Sequence, residues 1–284
     1  MNGKHFAYIL LIAIFLCNCV NKKVAENEDV PINIKNNGVK LNIEPSSGGN
    51  TYANLRIMQE ELDNADISKP YSLREISQRI TEDEINRVYY IYILNGENIN
   101  SLDGIELFPS LKYLSIHNSP MKILQGIPDR NNSLQRLALA GNALEDVSNL
   151  ILFEDLNELI LRSDQLRHFD ISNMKKLNYL YLQKYRELDF SNIKLPVNLV
   201  YINLLDSNIS TLRDVAMLFD YCEVLILDCN PIHEIERDLN FGRVKLISLV
   251  GCPVADKYFD RSNPNEESYI KINGVTFNFY DDPS

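Results

Sequence analysis

The sequence predicts a right-handed α/β solenoid, with one parallel sheet and a return side of 3₁₀ or short helical turns. Three observations predict it: an eleven-residue apolar pattern that returns at near-constant spacing, apolar residues at every third position between its copies, and capping signals on both flanks. The pattern is apolar at places 1, 4 and 6, Asn at place 9 and apolar again at place 11. Leu134, Leu137, Leu139, Asn142 and Leu144 fill every place, and Cys222, Leu225, Leu227, Asn230 and Ile232 fill it with a conservative exchange. Place 4 is taken in turn by Ile91, Leu114, Leu137, Leu159, Leu180, Ile202, Leu225 and Ile247, at intervals of 23, 23, 22, 21, 22, 23 and 22 residues. Side chains alternate along an extended chain, so places 4 and 6 share one side and the segment is a strand. Between strands, Leu102, Ile105, Phe108 and Leu111 recur at threes, as do Leu144, Val147, Leu150, Phe153 and Leu156, a spacing that suits 3₁₀ or short α turns. A single unit cannot bury its own face, so the eight units of residues 88–255 are stable only when stacked, and strand-to-strand connections of this kind are right-handed.

A stack needs lids, because its end units would otherwise expose core. Ser72 with Glu75 and Thr81 with Glu84 each match a capping box, and Ile76, Ile80 and Ile85 supply an apolar stripe, so a helical N-terminal cap is expected over residues 52–87. An amphipathic stretch from Leu55 through Met58 to Leu62 is expected to join it, while Val39 to Ile43 reads as a weak strand. At the other end, Asn273-Gly274 lies between Tyr269–Ile272 and Val275–Phe279. Asn-Gly tolerates the positive φ angles of a tight hairpin, which makes residues 256–284 a β-hairpin-like C-terminal cap.

The first residues read as an address. Lys4 precedes an uninterrupted apolar run from Phe6 to Leu16, about half of what a bilayer span needs, so residues 1–18 are expected to be a signal peptide. Leu16-Cys17-Asn18-Cys19 resembles a relaxed bacterial lipobox, and the resemblance implies lipidation at Cys19. Asn18 stands where Gly or Ala is commonest, Cys17 is the competing site, and ordinary secretory cleavage is the other reading. Residues 19–51, rich in Asn, Lys, Glu, Gly and Ser, are expected to be a tether between the lipid and the body.

The chain has 284 residues, 45% hydrophobic, with 28 Lys+Arg against 39 Asp+Glu and a formal charge of −11. That composition excludes a natively disordered chain and sets nucleic acid aside as a partner, since phosphates require a surplus of cations on one face. Period, strand core and Asn place together resemble the leucine-rich-repeat proteins of the short, roughly 22-residue bacterial class, with the internalin-type repeat as the nearest relative, over about Val88 to Val254. The resemblance implies a horseshoe with its sheet on the concave face. The chain departs from the pattern at place 9, where Gly96, Ser119, Asp164, Tyr185, Ser207 and Cys252 replace Asn. Because that Asn normally satisfies neighbouring backbone groups, an irregularity is expected near Tyr185.

Places 3, 5 and 7 face away from the buried Leu residues and so line the concave surface. The candidate binding residues among them are Tyr90, Tyr92, Tyr113, Arg136, Glu158, Ile160, Arg162, Tyr179, Tyr181 and Tyr201. Tyr and Arg supply contact area with a polar tip at protein interfaces; equally, Tyr is a good strand former whose rings pack across adjacent strands without any ligand. Exposed Ile160, Ile226, Leu246 and Val250 would favour binding, since a continuous apolar surface is unusual on a solitary face.

No catalytic motif, phosphate loop or C-x-x-C pair occurs, and His117, His168 and His233 fall in three different repeats, each read as a surface histidine. No catalytic residue, cofactor, metal or small-molecule substrate is expected; Asp206, Asp228 and Glu223 could at most attract a cation weakly. Cys222 replaces a core Leu and Cys252 an Asn; a Cys229–Cys252 disulfide is conceivable, but thiols are expected. The function expected is a non-catalytic, monomeric protein-binding module, exported and held at the membrane through its lipid alone, with the outer membrane or cell surface favoured over the periplasmic face of the inner membrane. The alternative is a periplasmic envelope scaffold that works through its convex or cap surfaces. An enzyme acting on envelope polymers is the third reading.

Overall fold

The computed structural model describes residues 40–45, 51–57, 72–78, 80–93, 96, 99–128, 133–141, 143–163, 166, 169–183, 190, 193–258 and 269–279. Backbone packing divides the chain into residues 1–31 and 32–284, and every described residue belongs to the second unit. The signal segment, Cys17, Cys19, most of the tether, Met58, Leu62, Asn142, Asp164, His168 and Tyr185 lie outside the described residues.

Twelve described strands form one sheet. Eight come from the repeats: β3 (Val88–Ile93), β4 (Tyr113–His117), β5 (Arg136–Ala140), β6 (Glu158–Arg162), β7 (Tyr179–Leu182), β8 (Tyr201–Asn203), β9 (Val224–Ile226) and β10 (Leu246–Ser248). They are parallel and pair in sequence order. Ile91, Leu114, Leu137, Leu159, Leu180, Ile202, Leu225 and Ile247 face one another from strand to strand, so the place-4 alignment read from the sequence is the pairing register. Places 1, 4 and 6 are buried in all eight repeats. The return side adds Leu102, Ile105, Phe108, Leu111, Leu144, Val147, Leu150, Phe153 and Leu156 to the same core, through 3₁₀ turns at Ile105–Leu107, Ser148–Leu152 and Leu212–Asp220.

Both ends add an antiparallel pair whose inner strand continues the parallel register. At the C-terminal end β11 (Tyr269–Ile272) and β12 (Val275–Asn278) form the expected hairpin around Asn273-Gly274, and Phe277 pairs opposite Ile247. At the N-terminal end β1 (Lys40–Pro45) is antiparallel to β2 (Thr51–Ile57), and Leu55 of β2 pairs opposite Ile91. This corrects the helical expectation for the stretch beginning at Leu55. Its spacing with Met58 and Leu62 suits a helix, but the edge of β3 presents a row of backbone donors and acceptors that an added strand satisfies. Among the described residues, the helical part of this end is α1 (Leu73–Ser77) and α2 (Glu82–Ile85). Ser72 N–H donates to Glu75 Oε2 at 2.8 Å, and in the second box Thr81 N–H donates to Glu84 Oε2 at 2.8 Å while Glu84 N–H donates to Thr81 Oγ1 at 3.3 Å.

Each strand must leave the sheet at its end, and place 8 does this in the left-handed region: φ is 57° at Asn118, 67° at Gly141, 53° at Asp206, 58° at Cys229 and 72° at Gly251. Place 9 then closes the turn. The Asn230 amide donates to the carbonyl of Leu204, place 6 of the preceding repeat, at 2.8 Å, while its oxygen accepts from Ser207 N–H at 2.9 Å and Ile209 N–H at 3.0 Å. Two departures from Asn make the equivalent carbonyl bond: Ser207 Oγ donates to Leu182 O at 3.3 Å, and Cys252 Sγ to Leu227 O at 3.1 Å. Cys252 is therefore a buried structural thiol, not half of a bridge to Cys229. Burial pushes its pKa, and that of core Cys222, up to about 12. Among the described residues no helix is long and apolar enough to cross a membrane.

Candidate protein-binding face

Places 3, 5 and 7 form a grid on the sheet face opposite the core. Strand alternation puts every sequence-predicted site residue on it, but they do not share one environment. Three groups follow one another along the sheet.

The first group is aromatic and half-buried: Tyr90 and Tyr92 on β3, Tyr113 on β4. The Tyr90 and Tyr92 rings lie 6.0 Å apart and nearly parallel, Tyr90 meets Tyr113 edge-on at 6.2 Å, and Tyr89 meets Tyr113 at 5.2 Å. Tyr92 also meets His117 edge-on at 5.3 Å.

The middle group carries the charge. Arg136 Nε lies 3.2 Å from Glu158 Oε1, within ion-pair reach, but its N–H is not aimed at that oxygen. This buried carboxylate oxygen accepts no hydrogen bond. Burial raises the Glu158 pKa above the ordinary carboxyl value, and Arg136 only partly opposes it. Ala138 and Ala140 place only methyl groups between β4 and β6, each 8% exposed, and Arg162 stands partly exposed at the far end of β6.

The third group is buried. Tyr181 and Tyr201 are each 3% exposed, and Ile160 beside them is also 3% exposed. This corrects the expectation that Ile160 is an exposed apolar contact; Ile226, Leu246 and Val250 are only half-exposed. Adjacent strands are about 4.8 Å apart, so large side chains in neighbouring places cover one another. The Tyr181 and Tyr201 rings meet at 5.2 Å and Tyr179 and Tyr201 at 6.2 Å. Asn203 Nδ2 donates to the Tyr201 hydroxyl at 3.2 Å. Burial drives the phenol pKa of both Tyr181 and Tyr201 far above the usual value.

Sequence reasoning placed no nucleophile beside a histidine, and the structure corrects this: Ser115 Oγ lies 3.0 Å from His117 Nε2. The available signal was their two-residue spacing on a strand, which puts both on one face. Burial and then the Arg162 charge hold the His117 pKa below its ordinary value. A serine nucleophile needs a base whose cationic form is stabilised, usually by a carboxylate. Among the described residues no carboxylate bonds to His117, and Arg162 opposes the charge it would acquire. Among the described residues, too, no cluster of His, Cys, Asp and Glu could hold a metal ion.

Register, core and turn geometry together define a leucine-rich-repeat solenoid of the α/β class. No protein-family model matches the chain, and no curated protein does. Among solved structures it is similar to internalin C2 from Listeria monocytogenes, at 20% identity over 61% of this chain and 76% of that one, with a TM-score of 0.42. It is also similar to the leucine-rich repeat domain of APL1B, at 19% identity over 61% and 58% of the two chains and a TM-score of 0.38. A further similarity is to a chain of the LRIM1/APL1C complex, at 18% identity over 72% and 45% and a TM-score of 0.39. These likenesses concern the fold alone.

Proposed function

We propose that this protein is a non-catalytic protein-binding module of the short, internalin-type repeat class, displayed on a bacterial envelope as a lipoprotein. Its acyl chains on Cys19 hold it to the outer membrane or cell surface, and its monomeric body meets a protein partner through the sheet face opposite the core. The observation that carries this reading is the half-exposed set Tyr90, Tyr92 and Tyr113 on β3 and β4. Rigid amphipathic rings of this kind give large contact area at low entropic cost. Export rests on the apolar run Phe6 to Leu16 and the lipobox-like Cys19.

The test is quantitative capture from envelope and extracellular extracts by the full chain and by its Tyr90→Ser/Tyr92→Ser/Tyr113→Ser variant. The reading expects a partner retained by the first and lost by the second, with circular dichroism unchanged; equal capture by both rejects the face. Protease treatment of intact cells, with a periplasmic control, tests display: digestion before lysis is expected, and protection until lysis favours a periplasmic scaffold. That second reading has an observation of its own, because Ile123, Ile151 and Val197 are exposed outside the strands, Val197 at 73%.

A further inference from the structure

We propose that the sheet surface over Ala138 and Ala140 is an anion cradle, which takes the carboxylate of an aspartate or glutamate on the protein partner between the Arg162 guanidinium and the His117 ring. The proposal rests on the reading that this face is the contact surface, and adds the chemistry of the group that docks there.

The register builds the cradle. His117 pairs opposite Ala140 and Ala140 opposite Arg162, while Ser115 pairs opposite Ala138 and Ala138 opposite Ile160. With two strand spacings between them, the backbones of β4 and β6 stand about 10 Å apart. Place 7 of β5 contributes only the Ala140 methyl group, which its neighbours leave 8% exposed. His117 and Arg162 flank that methyl group on the two adjacent strands, and the carboxylate is taken above it.

The charges say which sign of group belongs there. Arg74, Arg87, Arg136 and Arg213 each lie within 3.2 Å of a carboxylate, whereas Arg162 forms no ion pair among the described residues. Glu158, on the same strand, is four residues away at the opposite end and has Arg136 as its counter-charge. Arg162 instead acts on His117, disfavouring its cationic form, and a carboxylate between the two would relieve that repulsion. His117 can serve while neutral. In the tautomer whose Nε2 accepts from the Ser115 hydroxyl, 3.0 Å away, the ring proton is on Nδ1, a donor with no partner among the described residues. Guanidinium and carboxylate match as planar forks. The chain as a whole carries −11, so an acidic partner gains nothing from long-range attraction and its recognition is confined to this spot.

The probe is a fluorescein-labelled peptide of ten glutamates, titrated into the purified full chain at low salt and followed by anisotropy, with the His117 ring signals followed by NMR. Wild-type protein is expected to bind it with movement of the His117 signals, and Arg162→Ala or Ala140→Leu to weaken binding at least tenfold. Arg213→Ala, which removes an arginine on the return side, is expected to bind as wild type. Absence of binding, unmoved His117 signals, or equal affinity in Arg162→Ala overturns the cradle. Circular dichroism of Ala140→Leu guards against misfolding, and Arg162→Ala carries the test by itself. Partner capture separates the two readings: loss in the tyrosine variant with retention in Arg162→Ala rejects the cradle and keeps the face, whereas retention in both rejects the face.

Discussion

Tyr90, Tyr92 and Tyr113 on the first two repeat strands and Tyr179, Tyr181 and Tyr201 further along occupy the same two places of the repeat, yet only the first three all keep half-exposed rings. Tyr181 and Tyr201 are sealed, 3% exposed each, with Asn203 bonded to the Tyr201 hydroxyl and Glu158 and Ile160 beside them. The difference comes from the neighbouring strands. Tyr92 is followed at its place by Ser115 and Ala138, whereas Tyr181 stands between Ile160 and Asn203. A face that alternation marks as outward thus contains both an open aromatic cluster, the proposed contact surface, and a second, smaller core.

Substitution can break or sharpen this contrast. The largest effect is expected on stability: Tyr201→Ala empties a sealed site and should cost about 3–5 kcal/mol, comparable with the roughly 2–5 kcal/mol of Leu182→Ala in the main core. Tyr90→Ser, in the open cluster, should cost less than about 1 kcal/mol; urea denaturation of the three variants measures the gap, and equal costs would erase the distinction. Partner affinity is expected to run the other way. The Tyr90/Tyr92/Tyr113 triple serine variant should lose about tenfold to a hundredfold in affinity by calorimetry, the scale of an interface hot spot. A loss after Tyr201→Ala should appear only with loss of near-UV dichroism. Smaller still is Ser115→Ala at the border of the open cluster. Deleting one hydrogen bond to His117 is expected to cost about 0.5–1.5 kcal/mol and to leave the Tyr92 ring in place, as NMR can show.

The fourth prediction concerns pH. Glu158 has a folded pKa raised above its ordinary 4.5, so between those values the folded chain binds more protons than the unfolded chain. Its contribution to stability is complete below pH 4.5 and is lost as pH rises through the folded value. Glu158→Gln removes that loss. The variant is expected to gain on wild type in denaturation midpoint as pH rises from 4 to 7, and parallel curves would show that Arg136 satisfies the carboxylate fully.

The places where the sequence was legible share a cause. The Ile91-to-Ile247 register, the place-1 residues from Val88 to Val244, the boxes at Ser72 and Thr81 and the turn at Asn273-Gly274 are each dictated by a local rule that stacking does not override. Leu55 was misread because its spacing with Met58 and Leu62 is helical, while its actual partner, Ile91, lies far along the chain. On the candidate face, alternation assigned the side correctly for Tyr181, Tyr201 and Ile160 but could not report their cover, because cover depends on residues one strand away. The contact of Ser115 with His117 needed only the two-residue period and was open to inspection; that no carboxylate among the described residues pairs with Arg162 was not, since it depends on where each acid ends up.

The turn-closing bond at place 9 has an evolutionary corollary. Asn230, Ser207 and Cys252 present nitrogen, oxygen and sulfur to the same carbonyl of the preceding repeat. In these three repeats what is kept there is a proton on a short arm, and the element that carries it differs. Thr at Ser207 should be silent, whereas Val at the same position, nearly identical in shape, should not.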